Sequence, residues 1–561
     1  MLGESSVGLR TSSLLLGITL VVLVAGCSGG GSPFSPAPAP QPVGTSAPAP
    51  VTGTPAPPAT SAAFNDWTTY GYDNAHDGFN PNSQAFTVAN LKALHLAWSS
   101  SLNNFNTGTE PIVATGVAGH AAILIVGGGS GTEYAYDATT GTNVWSRDLG
   151  QENYTCGGSS TAIFGIGGTA AYDKATGSIF VVDGKNTVTN GPAHVSLFRL
   201  NAGTGTIASQ VEIAPSPLAG ELNFGHSGVT FANGLAYVGT SSTCDVSSWK
   251  GRIAAVNTST MTLARTFFPA YDPNGNTYSG GGVWSWGGVA VDGGGDVYAG
   301  IGNADTGNAQ APGFTIAPSS SAAYGEHFLR LSNDLATLRA NNYPIAPSPV
   351  TDVDLSGTPV LFQPVGCSLR AAVQGKSGSV YLYDTGSIAN GPLGSFPLAP
   401  PSDAGVNESN PSYSPITGLL YAGVASPSLY SQGMVAISTA SCGAPSIAWR
   451  ATFGDDSLAS GHPRSAPTVT AGGVVFIGTP TAGDGGQLWA LDATSGTILN
   501  NGAPLLTTVG HIRMAPVVDG SWLWVMDNSG HLYGLTLDTH FRAIQSAHRL
   551  SSGRSSTRFP H

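Results

Sequence analysis

The sequence predicts an all-β protein, an eight-bladed propeller of four-stranded blades, and three observations carry that expectation. Charged residues are only 9% of the chain and 77 of its 561 residues are Gly, whereas soluble proteins average about 25% charged. Long helices would need more Glu, Lys and Arg on their exposed faces. Short Val, Ile, Leu and Tyr runs alternate with small-residue turns, the composition of strands joined by tight turns. Finally, one strand-and-turn pattern recurs eight times along most of the chain.

The first segment, residues 1–26, reads as an export signal outside the fold. Arg10 closes a short amino-terminal region, and an apolar run from Leu14 to Ala25 follows. That run is shorter than a membrane span and ends in small residues. Its end, Leu23-Val24-Ala25-Gly26-Cys27, resembles a bacterial lipobox. The resemblance implies cleavage before Cys27, lipidation of its thiol, and attachment to a membrane of the cell envelope on the extracytoplasmic side. Residues 27–62 comprise that Cys and a Pro/Ala/Gly/Ser tract without apolar periodicity, expected to be an extended tether.

The repeats occupy the body, residues 63–540. The clearest copies are Tyr134-Ala135-Tyr136-Asp137-Ala138-Thr139-Thr140-Gly141 and Leu488-Trp489-Ala490-Leu491-Asp492-Ala493-Thr494-Ser495-Gly496. Weaker ones begin at Leu197, Ile253, Phe328, Val380, Met434 and Leu532. Their spacing of roughly 45–75 residues suits blades with loop insertions. An array of β-sandwiches is the alternative, but one recurrent Asp-x-x-Thr-Gly turn favours blades, each burying its faces on its neighbours. The run from Leu94 to Trp98 precedes the first complete copy. It is expected to supply the outer strand of the last blade, beside Leu532–Leu535, and so to close the ring.

The formal net charge of −12 gives no basic footprint for nucleic acid. No CxxC or CxxCH occurs among Cys27, Cys156, Cys244, Cys367 and Cys442, so the sequence offers neither c-type haem attachment nor a structural zinc site. Apart from Cys27, an even number remains. Three pairings are open, and adjacency of blades favours Cys156–Cys244 with Cys367–Cys442.

The copies resemble the blade motif of the pyrroloquinoline quinone (PQQ) dehydrogenase-like propellers, in which Ala, an aliphatic residue, Asp, Thr, Gly and Trp recur. The opening stretch Asp66-Trp67-Thr68-Thr69-Tyr70-Gly71-Tyr72-Asp73-Asn74-Ala75-His76 is similar to the entry segment of that family. What the resemblance implies about chemistry is specific. Trp284-Ser285-Trp286 followed by Gly300-Ile301-Gly302-Asn303 looks like the pair that supplies the quinone's stacking floor (Trp284) and a calcium ligand (Asn303). Asp245 would replace a second, Glu, ligand. Lys376, in Gln374-Gly375-Lys376-Ser377-Gly378, would polarise the quinone carbonyl. Asp352 or Asp354 would be the catalytic base.

The chain also departs from the family. The base segment has lost its His and Trp, and the adjacent cysteine pair that caps the quinone is missing. Each residue has a plainer reading too: one Trp of the pair as blade core, Asn303 and Asp245 as turn caps, Lys376 as a solvated turn residue. His226, Glu408, Asn410, His462, Arg464, His511 and Arg513 fall at blade starts and are expected to line the axis. Residues 541–561, with Arg542, Arg549, Arg554 and Arg558, read as a basic, unstructured tail. Two functions follow. One is a non-catalytic binding or assembly scaffold of the envelope, with a protein or small-molecule partner. The other is a PQQ- and calcium-dependent dehydrogenase of an alcohol or sugar.

Overall fold

The computed structural model describes residues 63–106, 108–155, 162–187, 189, 194–214, 223–242, 249–270, 279–305, 324–345, 354–399, 410–424, 431–455 and 465–540. Cys27, the tether and the tail therefore lie outside the described residues.

Eight antiparallel sheets form eight four-stranded blades. Their first strands are Ile112–Ala114, Ala171–Asp173, Val229–Ala232, Ala290–Val291, Val360–Phe362, Ser412–Ser414, Thr468–Thr470 and Val517–Asp519. First strands of neighbouring blades approach one another around the axis. The eight sequence copies coincide with the third strands, from Thr132–Asp137 in blade 1 to His531–Thr536 in blade 8. Second strands such as Ile123–Gly127 and Trp522–Met526 are buried at every position, because both faces of a blade are covered. Outer strands such as Asn143–Asp148 are only partly buried and alternate. This is the burial gradient of a propeller.

The ring closes as expected. His95–Ser101 pairs antiparallel with His531–Thr536, with Leu96 opposite Leu535 and Ser100 opposite Leu532. The amino-terminal strand thus becomes the outer strand of blade 8, whose other strands come from the end of the repeats.

The repeated turn locks neighbouring blades together at three joints. Asp137 Oδ1 accepts the backbone N–H groups of Thr139 and Thr140 and both their hydroxyls. The turn then needs a left-handed residue, which Gly141 supplies at φ +68°. A Cβ there would lie 2.4 Å from Trp98 Cε3 of blade 8. The same contact recurs between Trp145 and Gly205 and between Trp449 and Gly496. Trp145 Nε1 also donates to Ala202 O at 2.8 Å. Asp, Gly and Trp recur because they make one joint.

A feature that the repeats do not announce lies inside the ring. The segment from Trp67 to Asn80 hydrogen-bonds to the first strand of every blade in turn. The partners are Val113, Tyr172, Val229, Val291, Leu361, Tyr413, Val469 and Val518, met respectively by Trp67, Thr68, Thr69, Asn74, Ala75, Asp77, Gly78 and Asn80. This entry segment is a belt around the axis. It occupies first-strand N–H and C=O groups that would otherwise line the axis unpaired.

Cys367 and Cys442 are disulfide-bonded, Cα–Cα 5.3 Å, joining blades 5 and 6, as blade adjacency suggested. Cys156 and Cys244 lie outside the described residues. Among those residues, no helix is long and apolar enough to cross a membrane.

Candidate functional site

Four segments of blades 4 and 5 build the site: the chain entering each first strand, and the turn between each second and third strand. In blade 4 these are the run through Trp284 and the turn Gly300–Asn303. In blade 5 they are the run from Asp354 and the turn at Lys376. Backbone bonds join them, from Gly302 N to Gly282 O at 2.8 Å and from Lys376 N to Asp354 O at 2.9 Å.

Asp354 and Lys376 form the charged centre. Lys376 Nζ lies 2.8 Å from Asp354 Oδ2, and both side chains are buried. Asp354 Oδ1 accepts the backbone N–H of Asn303 at 2.6 Å. The plainer reading of Lys376 as a solvated turn residue is thereby corrected: its ammonium is drawn inward by a buried carboxylate. Gly302 brings the aromatic component up to this pair. A Cβ on Gly302 would stand 2.6 Å from Trp284 Nε1 and 2.7 Å from Asp354 Oδ1. Only a bare backbone lets the indole and the carboxylate approach the same point.

The two tryptophans of the Trp-x-Trp motif divide their tasks. Trp286 is buried and packs with Tyr70 of the belt and Met514 of blade 8. Tyr70 in turn donates its hydroxyl to Asn410 Oδ1 of blade 6. Trp286 is thus core, as one member of the pair was expected to be. Trp284 is half-buried and makes edge contacts with His226 at 5.7 Å and Trp249 at 5.8 Å. Its Nε1 is buried without a partner among the described residues.

His226, from the entry to blade 3, donates a ring N–H to the Trp284 backbone carbonyl. Burial pushes its pKa down to about 4, and the nearby Lys376 charge acts in the same direction. The imidazole is therefore neutral near pH 7.

Of the residues singled out in the sequence, Trp284, Asn303, Asp354 and Lys376 are brought together. Asp245 and Asp352 lie outside the described residues, as do Glu408, His462 and Arg464. The choice of Asp354 over Asp352 thus rests on Asp354's own contacts. Of the two expected calcium ligands, Asn303 alone lies among the described residues, and its described bond uses the backbone N–H. Among the described residues, no three or more His, Cys, Asp or Glu stand together as a metal site. Trp249 was missed by sequence reasoning. Its signal was its place in the sequence, four residues after Asp245 and next to Lys250-Gly251.

The residues fit a planar, carbonyl-bearing cofactor. A buried cation and a half-buried indole, whose Nε1 has no partner among the described residues, stand within one neighbourhood.

Comparison with known proteins agrees with this architecture. Residues 87–307 match the family model described as outer membrane protein assembly factor BamB. No curated protein matches the sequence. Among solved structures, the quinohemoprotein alcohol dehydrogenase of Comamonas testosteroni is similar at 18% identity and TM-score 0.60, over 88% of this chain and 82% of that one. The quinohemoprotein alcohol dehydrogenase ADHIIG of Pseudomonas putida HK5 gives 17% and 0.62, over 84% and 80%. A europium-containing methanol dehydrogenase gives 15% and 0.58, over 84% and 98%. At such identities the likeness is one of fold alone.

Proposed function

We propose that this propeller is a quinoprotein dehydrogenase that oxidises an alcohol or sugar with PQQ and calcium, held through Cys27 on the extracytoplasmic side of a membrane of the bacterial envelope. The observation that carries the proposal is the buried Asp354–Lys376 pair, 2.8 Å apart, which shares the bare edge of Gly302 with Trp284.

Each residue then has a task its chemistry suits. Trp284 offers a flat apolar surface for the cofactor ring. Asn303 and Asp245 offer hard oxygen ligands for the cation. When bound, PQQ supplies the carbonyl that accepts hydride. Lys376 carries three ammonium donors; one holds Asp354, and another would polarise that carbonyl. Asp354 accepts the proton of the substrate hydroxyl. The lysine fixes the direction of this carboxylate, while the Asn303 N–H holds its second oxygen. The solved structures similar in fold are named as alcohol and methanol dehydrogenases, which supports this reading.

A second reading, an envelope binding or assembly scaffold, is supported by the family match over residues 87–307. Reconstitution separates the two. The purified protein is incubated with PQQ and calcium and assayed with an artificial electron acceptor dye on alcohols and sugars. PQQ-dependent dye reduction, lost in Asp354→Asn, is the expected result. No reduction with any substrate, at full occupancy of PQQ, would leave the scaffold.

A further inference from the structure

The end of the axis opposite the Asp354–Lys376 pair holds a cavity of its own. The candidate site is built from chain that enters first strands and from turns between second and third strands. This cavity, of about 490 Å³, is lined instead by the belt and by the far ends of the first strands of blades 2, 3 and 4. Its volume falls within the range of small-molecule pockets, about 300–1,000 Å³.

Three carboxylates reach the cavity from separate elements. Asp73 comes from the belt, Asp173 from the end of the first strand of blade 2, and Asp292 from just past that of blade 4. Blade 3, which lies between those blades, contributes Phe231, and Val291 adds further apolar wall.

A plainer role accounts for part of each carboxylate. Each caps its own turn, accepting the N–H of Ala75 at 2.9 Å, of Ala175 at 3.0 Å and of Gly294 at 2.9 Å, respectively. Those donors are neutral, so the negative charge is not balanced. Among the described residues, none of the three forms an ion pair. Lys174 lines the cavity, but its ammonium stands 2.8 Å from Asp66 Oδ2 and 2.7 Å from Thr115 Oγ1. The Arg330 guanidinium, which also feels Asp292, is held 2.7 Å from Asp296 Oδ2. A cleft lined by charge of one sign concentrates ions of the other. One small ion does not suit this cleft, because among the described residues no three acidic groups stand together as a metal site. The charges to be met are spread out, with apolar wall among them.

We infer that this cavity binds a linear polyamine, whose separated ammonium groups meet Asp73, Asp173 and Asp292 and whose methylene chain covers Phe231 and Val291. An ammonium carries several donors, and a capping carboxylate keeps acceptor sites to receive them. A methylene stem lies along apolar surface while its charged ends stay among polar groups. Neither PQQ nor the dehydrogenase reading enters, since the cavity and the Asp354–Lys376 pair lie at opposite ends of the axis.

The test is calorimetric titration of spermidine into the purified full chain, without PQQ and at low salt. One spermidine per chain should bind, and 1,7-heptanediol, a chain of similar length without charge, should not. Asp73→Asn and Asp173→Asn keep an oxygen for the turn cap. Each should weaken spermidine binding by about tenfold or more, the loss of a charge-assisted hydrogen bond, with thermal unfolding unchanged as the control for folding. Asp484→Asn removes the same charge from an exposed turn between the second and third strands of blade 7, at the other end of the axis, and should leave affinity unchanged. Absence of saturable binding, affinity unaffected by both cavity substitutions, or an equal loss in Asp484→Asn would overturn the inference. So would magnesium chloride binding saturably with the same dependence on Asp73 and Asp173, which would make the cavity a metal site.

Discussion

Lys376 Nζ and Asp354 Oδ2 stand 2.8 Å apart with the carboxylate side chain only 2% exposed. Removing one member of such a pair leaves an uncompensated buried charge, at a cost of about 3–5 kcal/mol. Lys376→Met should lower unfolding free energy by that amount in denaturant melts. The double variant Lys376→Met/Asp354→Leu should recover most of it, because no charge is then stranded. A single variant as stable as the wild type would show that the pair is not formed.

The interblade joint gives a second expectation. Gly205 has φ +64°, and a Cβ there would lie 2.5 Å from Trp145 Cε3. Gly205→Ala should cost about 1–3 kcal/mol through overpacking. Trp145→Ala should cost about 3–5 kcal/mol through loss of a large buried ring. Combined, the two should cost less than their sum, since removing the Trp145 ring also removes the clash with the new Cβ. Strict additivity in a double-mutant cycle would contradict the joint.

Much of this fold was legible because the joint repeats. Asp137, Gly141 and Trp145 each satisfy a local need, and the same need returns at Asp492 and Gly496. Ring closure was legible because Leu94 to Trp98 is a strand without a blade of its own. The belt was not. Trp67 to Asn80 has no repeat and little apolar periodicity, since it bonds to the blades largely through backbone groups that carry no residue signature. In the site, Trp284, Asn303, Asp354 and Lys376 were found through motif likeness. Their convergence depends on Gly302 and on the stacking of blades 4 and 5, which no single segment encodes.

Burial of Glu133 gives a pH signature. Neither of its oxygens has a partner among the described residues, and burial raises its pKa from the ordinary 4.5 to about 8. Between these values the folded state holds a proton that the unfolded state has released. Its contribution to stability is therefore lost as pH rises from about 4.5 through about 8. Glu133→Gln, which keeps the shape without the charge, should flatten that part of the curve and be more stable than the wild type at alkaline pH. Parallel stability curves for the two proteins would contradict the assignment.

Anchoring is tested through Cys27. With Cys27→Ala the protein should leave the membrane fraction, or remain unprocessed with its signal attached. Mass spectrometry of the wild-type mature amino terminus should find a diacylglyceryl cysteine. Unchanged membrane attachment without lipid would refute the proposed anchor.

The central claim concerns the cofactor, and equilibrium binding of PQQ tests it most directly. Titration into the purified protein, followed by quenching of tryptophan emission, should saturate at one PQQ per chain and tighten when calcium is present. Trp284→Ala and Lys376→Met should each weaken binding by at least about tenfold, the loss of a stacking face or a charge-assisted hydrogen bond. Failure of the wild type to bind PQQ with calcium present, or affinity unaffected by either substitution, would contradict the account.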